Sequence, residues 1–68
     1  MVSKYKHNRI LRVLSEASTP LSAQEIAKQT GSKQITARDA GLLLYYLAGE
    51  GKVRRISSTH GNKWELVR

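Results

Sequence analysis

Two helix start signals stand close together in the middle of this chain and limit what it can fold into. Ser22 is followed three residues later by Glu25, and Thr36 is followed in the same way by Asp39. In each pair the hydroxyl can accept a hydrogen bond from the third amide of a helix, while the carboxylate can accept one from the capping residue's own amide. Residues 22–51 are therefore predicted to form two short helices separated by a tight turn.

An apolar residue precedes each of these caps. Leu21 and Ile35 can pack on Ile26 and Ala40 respectively, which fixes how the chain enters each helix. Gly31 follows the first of the two helices, at a position where a left-handed glycine commonly ends a helix. The predicted helix 2 covers about 23–30 and the predicted helix 3 about 37–50, in a helix-turn-helix arrangement.

A further helix is predicted upstream, at about 6–18, because its apolar residues recur with helical spacing. These residues are Ile10, Val13, Leu14 and Ala17. Pro20 ends the helix, since proline restricts the residue before it, and Leu21 is expected to begin a very short strand. The opposite face, with Arg9, Arg12 and Glu16, is interpreted as a solvated face with one ion pair, and His7 as a packed or capping histidine.

Helix 3 has an unusual distribution of apolar residues. Gly41 falls on its predicted inner face, and a glycine inside a helix costs about 1 kcal/mol relative to alanine. We therefore expect a neighbouring helix to cross at Gly41 too closely to admit a side chain. The outward face carries Arg38, Leu42 and Tyr46, with Tyr45 beside them, and it is more apolar than a solvated face requires.

The C-terminal part of the chain is predicted to be a β-hairpin. Strands are expected at 52–57 and 63–67, and the segment SSTHGN between them contains the turn. Trp64 and Leu66 share one face of the second strand, so we expect that face to be buried. Val53 and Ile56 fall on opposite faces of the first strand, which indicates a bulge or a split burial.

Composition narrows the class of partner. A chain of 68 residues is one small domain. It contains no cysteine and only two histidines, so neither a disulfide nor a structural zinc site is expected. No cofactor is expected either. The net charge of +7 and the pI near 10.3 favour a polyanion, with nucleic acid ahead of an anionic membrane. No apolar run approaches the ~20 residues of a membrane span, and a cytoplasmic location is expected.

Helix, short strand, helix, turn, helix and hairpin follow one another in the order of a winged helix. The chain resembles the winged helix-turn-helix DNA-binding superfamily through L-S-A-Q-E-I-A at 21–27, L-x-x-L-A-x-E-G-K-V at 44–53 and W-E-L at 64–66. Within it, the chain is most similar to the very small regulators of bacterial fimbrial and plasmid operons. A more distant likeness, to Z-DNA-binding winged helices, is carried by Tyr45 and Trp64, but those domains have an asparagine where Gly41 stands and prolines in the wing. The resemblance implies an α+β fold of three helices and a C-terminal two-stranded wing in a single domain, 1–68.

Candidate site residues lie on helix 3, on the turn before it and on the wing. Arg38 is predicted to pair with guanine and Gln34 with adenine, while the basic wing meets the backbone or the minor groove. Asp39 is interpreted as the acid of a cap. The full candidate set is Lys33, Gln34, Thr36, Arg38, Leu42, Tyr45, Tyr46, Arg54, Arg55, His60, Asn62 and Lys63.

The predicted function is sequence-specific binding of double-stranded DNA by a transcriptional regulator. Two alternatives remain: a protein interaction module anchored by Leu42 and Tyr46, and a nonspecific or architectural nucleic-acid binder. An enzyme is not expected, because the only phosphate-loop-like segment, Gly49-x-Gly51-Lys52, follows a helix instead of a strand. A homodimer or partner protein would use the exposed face of helix 3 or helix 1.

Overall fold

The computed structural model describes residues 4–59 and 61–67, and within this part of the chain three helices precede one β-hairpin. The hairpin is antiparallel, and the α+β arrangement has a winged-helix layout, as predicted. The elements are α1 Lys4–Glu16, α2 Ala23–Thr30, α3 Ala37–Gly49, β1 Val53–Ser58 and β2 Gly61–Leu66.

The helix starts differ in how completely they are capped. At α2 the amide of Glu25 donates to Ser22 Oγ over 3.2 Å, and the amide of Ser22 donates to Glu25 Oε1 over 3.0 Å, so the predicted reciprocal cap is confirmed. At α3 the amide of Asp39 donates to Thr36 Oγ1 over 3.2 Å. The amide of Thr36 makes no bond to the Asp39 carboxylate, so only half of the second cap is formed.

Glycines end α2 and α3 by taking the left-handed conformation. Gly31 has φ +67° and follows α2, as predicted. After α3, Gly51 has φ +78°, its amide donates to the Ala48 carbonyl, and the amide of Lys52 donates to the Leu47 carbonyl, each over 3.0 Å. These two hydrogen bonds satisfy the last carbonyls of the helix. The strand β1 begins directly after them.

The helix α1 is displaced from its predicted bounds of 6–18. It covers Lys4–Glu16, and its start was missed because the first turn is largely polar and apolar spacing cannot locate a polar start. It ends at Glu16. The amide of the next residue, Ala17, donates over 3.3 Å to the carbonyl of Leu14, three residues earlier instead of four. Ser18 and Thr19 then bend the chain toward Pro20.

One apolar core joins all the elements. Ile10 and Leu14 of α1 meet Ile26 of α2 and Leu44 of α3, and the residues before both caps, Leu21 and Ile35, are buried with them. Among the described residues, the core consists of Ile10, Val13, Leu14, Leu21, Ile26, Ala27, Ile35, Ala40, Leu44, Leu47, Val53 and Trp64. Leu21 also forms the predicted short strand, as a single β-bridge to Trp64.

The hairpin has an unbroken register. Val53 pairs with Leu66 at its base and Ser58 with Gly61 at its tip, with no bulge between them. The alternative of split burial is therefore correct: Val53 is buried and Ile56 only half-buried. The second strand begins two residues earlier than predicted, because Gly61 at φ +107° accommodates the turn within the ladder.

The expectation for Gly41 is wrong. A methyl group placed there would meet no heavy atom of the surrounding described residues within 4 Å. The neighbouring Ala40 is fully buried, whereas Gly41 is half-buried. The inner face of α3 is therefore centred on Ala40, and Gly41 lies at its edge.

Replacing Gly41 with alanine is expected to stabilise the fold by about 0.5–1 kcal/mol, because the site has room and alanine favours a helix interior. Gly31→Ala is the matched control: it also has room, but its positive φ disfavours alanine, so the same change should destabilise. Urea unfolding of both variants measures the two signs. A loss of stability in Gly41→Ala would mean that a neighbour does approach this position.

Candidate nucleic-acid interface

The turn before α3 presents polar side chains beside the helix start. The amide of Gln34 donates to Ser32 Oγ over 3.2 Å and the amide of Ile35 to the Ser32 carbonyl over 3.2 Å, while Ile35 is buried. Lys33 and Gln34 are exposed at this turn. The structure thus brings both predicted residues to the amino end of α3, where helix amides carry partial positive charge.

One stripe of α3 faces away from the core. Arg38, Leu42 and Tyr45 follow one another at intervals of four and three residues, the spacing of neighbours on one helix face. All three are exposed, with 63% of Leu42 and 54% of Tyr45 accessible. We call these three residues the outward stripe.

The two tyrosines of α3 contact different elements. Tyr45 meets the ring of Trp64 edge-on, with ring centroids 5.1 Å apart and planes at 84°. Tyr46 stacks on His7 of α1, with centroids 5.1 Å apart and planes at 23°. Tyr45 therefore belongs to the side of α3 that faces the hairpin, and Tyr46 to the side that faces α1.

His7 is packed, as expected from the sequence. Its ring lies against Tyr46, and its Nε2 atom is buried without a hydrogen-bond partner among the described residues. Stacking on a half-exposed tyrosine explains its position. The described His, Asp and Glu side chains include no group of three that could hold a metal ion.

Arg55 is connected to α3 through Trp64. It lies directly opposite Trp64 in the hairpin register, and directly opposed residues point to the same side of a sheet. Trp64 in turn contacts Tyr45 of the outward stripe. Arg55 is exposed and makes no ion pair with the described residues, so its charge is available on the same side as this stripe.

Two other basic wing residues are already paired with carboxylates. Arg54 forms an ion pair with Glu65, its cross-strand neighbour, and Lys63 Nζ lies 3.2 Å from Glu25 Oε1 of α2. Both pairs are solvent-accessible and can exchange for a phosphate, but their cations are less available than Arg55. Asn62 is exposed near the tip, and His60 lies outside the described residues.

The charged face of α1 differs from its predicted role. Arg9 donates to the carbonyl of Thr30, the last residue of α2, and lies 5.8 Å from the ring centre of Tyr5. A cation at a helix carboxyl end is favourable, so Arg9 fastens α1 to α2. The predicted ion pair of Arg12 and Glu16 is not formed.

Sequence reasoning missed these long-range partners for physical reasons. The pairing of Arg54 with Glu65 follows from the hairpin register, in which Ser58 lies opposite Gly61, and the segment SSTHGN did not fix that register from the sequence. The bond between Lys63 and Glu25 joins residues 38 positions apart, and no local pattern encodes it.

Comparison of the chain with protein-family models, with curated proteins and with solved structures yields no match. Its helices include none long and apolar enough to cross a membrane, among residues 4–59 and 61–67.

Glu25 is expected to make stability depend on pH. The amide of Ser22, and then Lys63, lower the pKa of the Glu25 carboxyl from its ordinary value of 4.5. Ionisation thus favours the folded state, and this contribution is present above pH 4.5 and lost as the pH falls through the lower folded-state pKa. Glu25→Gln should therefore unfold at a lower temperature than wild type at pH 7, by a margin that shrinks toward pH 3.

Glutamine keeps a side-chain oxygen that can accept the hydrogen bond from the Ser22 amide. The comparison of glutamate with glutamine therefore isolates the effect of the charge. Glu16→Gln is the control, because Glu16 lies at the carboxyl end of α1, where a negative charge is unfavourable. That variant should match or exceed wild type at pH 7. A pH-independent margin for Glu25→Gln would show that its charge contributes nothing.

Proposed function

We propose that this chain is a winged helix-turn-helix protein that binds double-stranded DNA in a sequence-specific manner and regulates transcription. In this proposal α3 enters the major groove and the hairpin follows the backbone or the adjacent minor groove. A major groove about 12 Å wide admits an α-helix. The protein would act in the cytoplasm, on chromosomal or plasmid DNA.

The contact between Tyr45 and Trp64 carries the proposal. It joins the outward stripe of α3 to the hairpin, with centroids 5.1 Å apart, and the register sets Arg55 beside Trp64. Arg38 lies on the same face of α3 as Tyr45. Arg55 lies on the same face of the hairpin as Trp64, so the ring contact connects these two faces, one on a helix and one on a strand. A helix and a basic hairpin on one side suit a groove and its flanking phosphates.

The roles of the two arginines differ. Arg38 lies in the first turn of α3, exposed, where a side chain can reach base edges, and its fork can bind guanine O6 and N7 together. Arg55 extends from a strand beside the helix. From this position the phosphates of the DNA backbone are nearer than the base edges. Gln34 is assigned to adenine, and Lys33 and the α3 amides to phosphate. Thr36 Oγ1 accepts the capping bond, so its hydroxyl hydrogen is left for an acceptor on DNA.

The protein-interaction alternative rests on the exposed Leu42 and the half-exposed Tyr46. Hydrophobic residues in the middle of an accessible helix are typical of interaction anchors. The net charge of +7 favours DNA instead, because a polyanion matches the cations that surround the outward stripe. These two functions differ in their response to salt.

DNA affinity is expected to fall steeply with salt. About four basic side chains on phosphates, those of Lys33, Arg54, Arg55 and Lys63, give a slope of log K against log salt near −3.6, and about two give −1.8 if Arg54 and Lys63 stay paired. The measured slope should lie in this range, by fluorescence anisotropy on a random 20-base-pair duplex (length about two turns). Undetectable binding at low salt, or a flat response, would favour the interaction module.

Loss of Arg38 and loss of Arg55 should differ in kind. Arg38→Ala is expected to cost about 1–3 kcal/mol on the specific site and little on random DNA, because its base contact requires the correct base. Arg55→Ala should weaken both targets alike and reduce the salt slope by about one. Titrations of both duplexes at several salt concentrations separate the two effects.

Arg12→Ala serves as the control, since Arg12 is exposed on α1 and lies beside Gly51 and Lys52, at the carboxyl end of α3 and the base of the hairpin. This variant should weaken binding to the specific and the random duplex only by the small amount that follows from the loss of one positive charge. Thermal midpoints establish that each variant is folded. If Arg38→Ala loses equal affinity for specific and random DNA, α3 does not read the bases and that role falls to the hairpin.

A further inference from the structure

Leu42 is the most exposed large apolar side chain in the described part of the chain, at 63%. It occupies the middle of the outward stripe, one helical turn after Arg38 and just before Tyr45. Packing does not require a leucine there, because the inner face of α3 is already filled by Ala40, Leu44 and Leu47. The fold therefore leaves this side chain for a partner.

The charges around Leu42 indicate the chemistry of that partner. Exposed Lys33, Arg38 and Arg55 stand without ion pairs among residues 4–59 and 61–67. Asp39 is the only acid of α3, and the carboxylates of Glu25, Glu50 and Glu65 are each bound to a cation. Leu42 lies one turn from Arg38, on a helix whose preceding turn carries the unpaired Lys33. An apolar side chain beside unpaired cations fits a polyanion that also presents an apolar group.

The DNA major groove presents one such group. Thymine exposes its C5 methyl there, next to acceptors and phosphates, and apolar side chains contact it. We infer that Leu42 reads the C5 methyl group of a thymine, as a specificity-determining contact beside the guanine read by Arg38. This inference rests on the proposed function, since it requires α3 to lie in the major groove.

The spacing of the stripe limits where this thymine lies. Four residues of an α-helix advance about 6 Å, and successive nucleotides of one strand are about 3.4 Å apart along the DNA axis. For a helix lying along the groove, the thymine is within about two base pairs of the guanine. Arg38 and Leu42 together thus specify a short element that contains guanine and thymine.

The test removes the methyl group and the leucine separately. Bound sites are first selected from a randomised duplex library with the wild-type protein. Each thymine of the selected site is then replaced singly by uracil, which lacks only the methyl, and dissociation constants are measured by fluorescence anisotropy. One uracil substitution should weaken wild-type binding about fourfold, the loss expected for about one buried carbon group.

Leu42→Ala should bind the thymine and uracil duplexes equally, at about the wild-type affinity for uracil. Val67→Ala is the matched control, because Val67 is also apolar and 50% exposed but lies at the base of the hairpin, where its amide donates to Lys52. It should keep the fourfold difference. Alanine at an exposed helix position favours the helix, so Leu42→Ala is expected to fold.

The outcomes separate the two proposals. If no sequence is enriched, the proposed function fails and the inference fails with it. If a sequence is enriched but no uracil substitution near the guanine matters, or Leu42→Ala keeps the difference, DNA binding stands and the inference is overturned. If Leu42→Ala leaves DNA binding intact and abolishes self-association in sedimentation, a second copy covers this side chain instead.

Discussion

The attachment of the hairpin at Trp64 is the contact on which the rest of the structure depends. A two-stranded hairpin is at best marginally stable alone. This hairpin is attached to the helices through both the backbone and the side chain of Trp64. The amide of Trp64 donates to the Leu21 carbonyl over 2.7 Å, and the amide of Leu21 donates back over 3.0 Å. The indole ring is 2% exposed and meets Tyr45. One residue thus connects the segment before α2, the outward side of α3 and the wing.

The domain is small and contains no cysteine, so local devices stabilise each helix end in addition to the core. Ser22 and Thr36 cap the starts of α2 and α3, Arg9 caps the carboxyl end of α2, and Gly51 closes α3. Each contributes on the order of 1 kcal/mol or less. Such contributions matter because a core of this size leaves only a narrow margin of stability.

Pairing divides the basic residues into two groups. Arg54 and Lys63 are paired with Glu65 and Glu25, so part of the positive charge holds the hairpin together and fastens it to α2. Arg38 and Arg55 keep their charge for a partner. Exposed ion pairs add little stability, but they reduce the number of cations available to a polyanion. The side that carries the outward stripe is therefore both the most apolar accessible face of α3 and a cationic one.

The elements whose signals lie within a few residues of one another could be predicted from the sequence. Ser22 with Glu25, Gly31, Pro20 and the alternation around Trp64 predicted the two central helices, the turn and the hairpin, because caps, turns and strand faces are local features of a chain. The pattern of α3 predicted that Arg38 and Leu42 face outward, but it placed Tyr46 with them, whereas Tyr46 stacks on His7 of α1. Local signals also missed the polar first turn of α1 and the register of the hairpin.

The contacts between residues distant in sequence are set by the packing of the helices and the hairpin. Gly41 is half-buried with room for a methyl group, because the fully buried residue of this turn is Ala40. The sequence pattern is the same whether or not a helix crosses at a glycine. Tyr45 and Tyr46 are adjacent in sequence, yet one joins the wing and the other α1, since successive helix positions point about 100° apart. The pairing of Lys63 with Glu25 and the alignment of Arg55 with α3 arise from the docking of the hairpin, which no local pattern specifies.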